Sequence, residues 1–375
     1  MDIVCFSHLR WNFVYQRPQH LLSRFAKVGR VFMIEEPVAD SRTWMEFNTP
    51  EPSVVVLTPH IDQHAVHDTQ LLLDGLLREA GEEHSIDNFI AWFYTPMALP
   101  LLKNFYQPDL VIYDCMDELS AFKNAPPMLR SHEQELMTLA DIVFTGGHNL
   151  YRAKKALHHN IHPFPSSIDK KHFGQARFVT EIPPDQQIVK GIKLGFFGVI
   201  DERFDISLIA EVADKRPDWN IILIGPVVKV DPATLPQNKN IYYLGSKSYQ
   251  ELPSYLAGWD VALIPFAMNE STEFISPTKT PEYLAGGKPV VSTPIKDVVE
   301  PYGTNGLVYI AGTADEFIEG IEWALALKDS AAWLKAVDHQ LADNSWDNTW
   351  EKMMFQINIA SKKTMQPPNK FYQHV

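Results

Sequence analysis

The chain has 375 residues, 45% of them hydrophobic and 21% charged, a composition that builds packed cores at a length that accommodates two α/β domains. A formal net charge of −13 argues against general affinity for nucleic acid, and no apolar run approaches the roughly 20 residues of a membrane span. Cys5 and Cys115 are too few for a disulfide framework or a thiolate cage, and the opening Met-Asp-Ile-Val-Cys-Phe lacks the basic start of a leader, so a cytoplasmic location is expected.

Asp2 to Phe6 reads as a short buried strand. The stretch after it is basic and aromatic. No acidic residue occurs from Ile3 to Ile34, whereas Arg10, Arg17, Arg24, Lys27 and Arg30 all do. Pro18 suits the first turn of a helix that carries Leu21, Leu22 and Phe25. The preceding loop puts Arg10, Trp11 and Arg17 at the carboxyl end of the first strand, where open α/β sheets bind ligands, and makes them candidate acceptor residues. A solvated helix face with aromatics in the core is the plainer alternative. Further strands are expected at Val31–Ile34, Val54–Leu57, Phe89–Phe93, Leu110–Tyr113 and Ile142–Phe144, with helices around Ala65–Ala80 and Met97–Phe105. This alternation implies a parallel, doubly wound sheet.

Tyr113-Asp-Cys-Met-Asp-Glu118 ends one of these strands in three carboxylates. Crowded carboxylates raise one another's pKa and can supply a proton acceptor. Asp117 is the first candidate for a base or acceptor-orienting group, and Asp114 the second. Capping of the next helix by Asp117 or Glu118 is the competing explanation. Residues 174–191, with Pro183-Pro184, read as an exposed linker, which bounds a first domain at 1–173 and a second at 192–345.

The second domain opens at Lys193-Leu-Gly-Phe-Phe-Gly198, a strand ending in glycine. Gly198 would let a phosphate approach the backbone; Arg203 would clamp it, or else pair with Asp201 or Asp205 at the surface. A second strand ends at Gly225, and a third leads into Ser246, Lys247 and Tyr249. Asp260–Phe266 is the strand that runs into Phe274-Ile-Ser-Pro-Thr-Lys-Thr-Pro-Glu-Tyr-Leu-Ala-Gly-Gly-Lys-Pro-Val-Val-Ser-Thr293. Here Ser276 is expected as an N-cap and Pro277 at the first helical position. Thr278, Lys279 and Thr280 then occupy the first turn, where free N–H groups and the helix dipole favour an anion. Lys279 adds a full charge, and Glu282 follows three residues later on the same side. Cations for phosphate followed by a carboxylate for a sugar hydroxyl suit a nucleotide-sugar; a capping box closed by Glu282 is the alternative. A last helix is expected from Trp346 to about Ile359, with Trp350, Met353, Met354 and Ile357 on it.

The stretch around Lys279 resembles the donor-site segment of GT-B glycosyltransferases, in the large retaining family that builds polysaccharides and glycolipids. The family pattern is roughly S-P-x-K-x-x-E-Y-L-A-x-G-K-P-V-V, matched by Ser276, Pro277, Lys279, Glu282, Tyr283, Leu284, Ala285, Gly287, Lys288, Pro289, Val290 and Val291. Phe164 to Phe173 is similar to the segment by which such chains leave the first domain. The resemblance implies two Rossmann-like domains facing across a cleft, with the helix at about 346–360 crossing back to the first. It implies that Arg203 and Lys279 meet a nucleotide diphosphate and Glu282 the ribose. Ser246, Lys247 and Tyr249 would lie toward the base, and Gly198, Gly225, Ser276, Pro277, Thr278 and Thr280 would complete the donor site. No metal and no cofactor other than the nucleotide-sugar co-substrate, a UDP-sugar, is expected. The implied activity is sugar transfer to a saccharide or lipid-linked acceptor in polysaccharide biosynthesis. Many family members carry a second Glu eight residues before the first. Phe274 stands there in this chain and Glu273 is one position out of step, so the sugar and the stereochemical outcome stay open. A nucleotide-sugar epimerase and a non-catalytic nucleotide-sugar-binding partner are the rival readings. The basic N-terminal stretch, with Lys362, Lys363 and Lys370, further leads us to expect weak docking on an anionic inner membrane face; binding of the diphosphate of a soluble acceptor by the same residues is the alternative.

Overall fold

The computed structural model describes residues 2–64 and 68–364, with side chains as far as Lys362. Lys370, the side chain of Lys363 and the expected helical start at Ala65 lie outside the described residues.

The described residues form two sheets, one per domain. In the first, nine strands are β1 (Asp2–Ser7), β2 (Val31–Glu35), β3 (Val38–Asp40), β4 (Trp44–Glu51), β5 (Val54–Asp62), β6 (Phe89–Phe93), β7 (Leu110–Cys115), β8 (Ile142–Thr145) and β9 (Ile161–Pro163). They run in the order β3-β5-β2-β1-β6-β7-β8-β9, parallel throughout, with β4 added antiparallel to β5. Strands β1, β2, β6 and β7 are apolar and buried almost end to end, as a sheet covered on both faces requires. The second sheet has six parallel strands, β10 (Ile192–Phe197), β11 (Trp219–Ile224), β12 (Ile241–Tyr243), β13 (Val261–Ile264), β14 (Val290–Ser292) and β15 (Val308–Ile310), in the order β12-β11-β10-β13-β14-β15.

The structure departs from the sequence expectations in several places. β3, β4, β9 and β15 are strands the sequence reading does not contain: β4 alternates no apolar face, and the middle of it is exposed. The expected helix at 97–105 is a 3-10 helix, Pro96–Asn104, with Pro100 inside it. Proline cannot donate an interior helical hydrogen bond, so the tighter, irregular winding is the natural result. The linker is not an exposed tether. Gln186 is fully buried, donates to the Tyr255 carbonyl at 2.9 Å and accepts from the Trp259 indole at 2.9 Å, which fastens the segment to the second domain.

Several contacts tie the halves together, two of them through helices. The helix Trp346–Thr364 leaves the second domain and packs on the helix Arg17–Phe25 of the first, burying Trp346, Met353 and Ile357 beside Leu21 and Phe25. Trp346 stacks on His20 at 4.7 Å. At the other junction, the helix His148–Lys154 of the first domain receives its cap from the second. The Asp297 carboxylate accepts from the His148 and Asn149 amides at 2.8 and 2.9 Å. Gly147 makes this approach possible, because a Cβ there would fall 2.4 Å from the carboxylate.

Candidate functional site

The carboxyl ends of the two sheets face each other across a cleft of about 540 Å³. Its walls combine Trp11, Tyr15, Arg17 and Asp117 from the first domain with Gly198, Arg203, Gly225, Ser246, Lys247, Tyr249, Ser276, Pro277, Thr278, Lys279 and Glu282 from the second. Most of the residues singled out in the sequence therefore line one space.

The donor-side wall is built by two strand ends. β10 and β11 are followed directly by Gly198 and Gly225, whose φ angles of 144° and 139° are open to glycine but strained for other residues. A Cβ on Gly225 would sit 1.9 Å from the Gly198 carbonyl, and one on Gly198 would sit 2.7 Å from the Lys279 Nζ. The lysine thus lies against the bare backbone at the end of β10. Its ammonium is 5.6 and 5.5 Å from the ring centres of Phe196 and Phe266. Burial pulls its pKa down, and the Glu282 carboxylate opposes that fall. Glu282 is in the same position with the sign reversed: burial pushes its carboxyl up while Lys279 holds it down. Spacing of three residues on one helix face creates this pair.

The helix carrying them spans Lys279–Ala285, so it starts two residues later than expected. Ser276 is not its N-cap; the serine's carbonyl instead accepts from Ser166 of the first domain at 2.9 Å. The cap position is Thr278, without a side-chain cap bond, and Glu282 closes no capping box, which removes the alternative explanation of that residue. Thr280 does not line the cleft. It is buried, and its hydroxyl finds no partner among the described residues.

Arg203 is held in a fork by Asp201, with Nε 3.0 Å from Oδ1 and Nη2 2.6 Å from Oδ2. Burial works against its charge, but the Asp201 bonds and the nearby Asp117 more than offset that and raise its pKa. The pairing expected as a surface alternative is real, yet it sits in the cleft wall; Asp205 is elsewhere, accepting from the Leu208 amide at 2.9 Å as a helix cap. Asp201 was expected only as a surface partner; the structure makes it the residue that holds Arg203 in the wall. Lys247 pairs with Asp185 of the linker at 2.7 Å and lies over Tyr255. Tyr249 stacks on His172 at 4.2 Å and leans on Tyr15 of the first domain at 4.6 Å.

On the acceptor side the candidates separate. Asp117 is in the cleft wall, and among the described residues nothing donates a hydrogen bond to its carboxylate. Burial pushes its pKa up to about 6, against the pull of Arg203, Arg17 and Lys279 and with a further push from Asp201. Neither Asp117 nor Glu118 caps a helix by its side chain; Glu118 pairs with Lys154 at 2.7 Å. Asp114 is fully buried and absent from the wall, locked to Arg17 by Nε–Oδ2 and Nη2–Oδ1 contacts of 3.0 and 2.8 Å. The pair braces the first helix to β7, and Arg17 also donates to the Phe164 carbonyl at 2.7 Å, which extends the brace to the chain just after β9. Arg10 is likewise outside the cleft, bound to Glu35 at 2.9 Å, while the Trp11 amide donates to the same carboxylate at 2.7 Å. Phe274 packs against the first domain's core, and Glu273 is a surface residue paired with Lys296 at 2.9 Å.

Residues 193–326 match the family model described as Glycosyl transferases group 1. The chain is similar to TuaH of Bacillus subtilis (strain 168), named for a glycosyltransferase of teichuronic acid biosynthesis, at 29% identity over 222 residues. That match covers 54% of this chain and 54% of TuaH, so it spans about half the length of the curated relative. Among solved structures, similarity extends to the sucrose-phosphate synthase of Thermosynechococcus elongatus (TM-score 0.69, 14% identity, 96% of this chain and 99% of that one). It extends also to HepE of Anabaena in complex with UDP (0.66, 13%, 96% and 100%). A third is WaaG, a glycosyltransferase involved in lipopolysaccharide biosynthesis (0.62, 13%, 97% and 100%). The architecture of this chain is the GT-B fold.

Proposed function

We propose that the chain transfers a sugar from a nucleotide diphosphate-sugar to a saccharide or lipid-linked acceptor in the biosynthesis of a surface polysaccharide. The observation that carries this reading is the Lys279 ammonium lying on the bare Gly198 backbone, with Arg203 in the same wall and Asp117 across the cleft. The two cations would bind and neutralise the diphosphate as it leaves, a stabilisation aimed at charge that grows in the transition state. Arg203 keeps its Nη1 free of the Asp201 fork for that purpose. Glu282 would accept from the ribose hydroxyls. Asp117 would take the acceptor's proton or orient its hydroxyl, and a carboxyl pushed up to about 6 is a better base than an ordinary aspartate. HepE is described in complex with UDP, which supports a uridine diphosphate donor for this chain as well. TuaH and WaaG are named for cell-surface polymers, which supports an acceptor of that class.

Membrane docking through the first domain receives less support. Of the five N-terminal cations, Arg10, Arg17, Arg24 and Arg30 are paired with Glu35, Asp114, Asp347 and Asp2. No helix among the described residues is long and apolar enough to cross a membrane. Sedimentation with anionic vesicles at low and high salt tests the remaining electrostatic attraction.

The decisive experiment for the transfer reading compares the wild type with Lys279→Ala. The variant is expected to keep its fold and to lose most nucleotide-diphosphate affinity and transfer from a donor panel. Unchanged affinity and turnover in a folded Lys279→Ala protein would overturn the reading.

A further inference from the structure

Phe122 belongs to the first domain, in the loop that also carries Asp117, yet its ring lies under two cations of the second domain. The Arg203 guanidinium carbon is 5.3 Å from the ring centre and the Lys229 ammonium 5.7 Å. Arg203 is therefore fixed on two sides of different origin. Asp201, from its own domain, binds its Nε and Nη2 edge at 3.0 and 2.6 Å. Phe122, from across the cleft, covers it. The Arg203 side chain is 24% exposed, and the residue lines the cleft beside Gly198 and Lys279. Attraction of a cation to a ring face strengthens when both are shielded from water.

The two supports do different work. Asp201 is two residues from Arg203 and holds it whatever the distance between the domains. Phe122 reaches it only when the domains stand as close as they do in this structure. Phe122 lies five residues from Asp117 on a segment anchored in the first domain by the Glu118–Lys154 pair at 2.7 Å, so one segment carries both. We propose that Phe122 is a positioning residue that sets the Arg203 guanidinium across the cleft and so registers the loop of Asp117 against the donor-diphosphate wall. The proposal rests on the transfer reading given above. A preorganised guanidinium binds a diphosphate without first having to be ordered, so loss of the ring is expected to weaken diphosphate binding moderately, not abolish it.

The test is calorimetric titration of the full chain with UDP, ADP and GDP, using whichever nucleotide binds the wild type. Phe122→Leu is expected to raise the dissociation constant about three- to tenfold at an unchanged melting temperature, and Phe122→Tyr to restore it. In an Arg203→Met background, Phe122→Leu is expected to change nothing further, because the ring acts through the guanidinium. A wild-type dissociation constant in Phe122→Leu overturns the proposal while leaving the donor site intact. So does an equal loss in the Arg203→Met background, or failure of Phe122→Tyr to restore binding. If no nucleotide binds the wild type, the donor-site reading fails and this proposal fails with it.

Discussion

Asp117→Asn should make the protein both inactive and more stable. The carboxyl stands at about 6 in the folded chain against an ordinary value of 3.8, because burial disfavours its charged form. A group whose folded pKa is raised adds stability below its unfolded value and loses that contribution as pH rises through the folded value. Wild-type Asp117 therefore costs stability at pH 7. A rise of about two pH units corresponds to an upper figure of roughly 3 kcal/mol, at 1.36 kcal/mol per unit. Asparagine mimics the protonated form and carries no such cost. Paired unfolding experiments at pH 7 and pH 4 should show the variant melting several degrees higher at pH 7, with the gap nearly closed at pH 4. Transfer should be lost while nucleotide binding is kept, and wild-type transfer should rise with pH through about 6. A variant that melts lower than wild type at pH 7, or a gap independent of pH, would refute the burial argument. Wild-type transfer rates would place the base elsewhere.

The remaining outcomes concern the braces and the donor wall. Glu282→Gln keeps shape without charge; nucleotide affinity should fall by roughly 1–3 kcal/mol with no loss of melting temperature, since no capping box depends on the residue. Asp114→Ala leaves the Arg17 guanidinium buried and unpaired, so the first domain should lose about 3–5 kcal/mol in denaturant unfolding, a loss Arg17→Met in the same chain should partly relieve. Asp297→Ala removes the acceptor of two helix-terminal amides at the domain junction and should cost about 1–2 kcal/mol, read by hydrogen exchange at His148 and Asn149.

What could be read from the chain was local. Lys279, Glu282 and Gly198 carry their meaning in short spacings, and strands such as Phe89–Phe93 announce themselves by continuous apolar runs. What could not be read was the partner of a charge. Arg17 and Asp114 both looked available to an acceptor, and only the fold, bringing together positions 97 apart, shows that they satisfy each other. Arg10 was withdrawn from the cleft in the same way by Glu35, 25 positions on. Asp117 has a similar local setting to Asp114 but points to the cleft wall, a difference of three residues along a turn that composition does not encode. Phe274 packs against the first domain's core, a contact no spacing within the second domain could reveal.

The helix Trp346–Thr364 gives the first domain a discontinuous core. On a ribosome, residues 1–173 emerge early and their sheet can pair, but the Leu21 and Phe25 side of the helix Arg17–Phe25 stays uncovered until Met353 and Ile357 have been made. At typical synthesis rates of ~5–20 residues per second, that apolar face waits for roughly ten seconds or more. Meanwhile the second domain, continuous from residue 192 onward, can complete its own sheet. Synthesis order and maturation order are thus inverted: the half that is made first is the half that is finished last. A fragment ending near residue 173 would keep this face exposed permanently and should aggregate, whereas the same fragment supplied with residues 346–364 as a separate peptide should bind it and stay in solution.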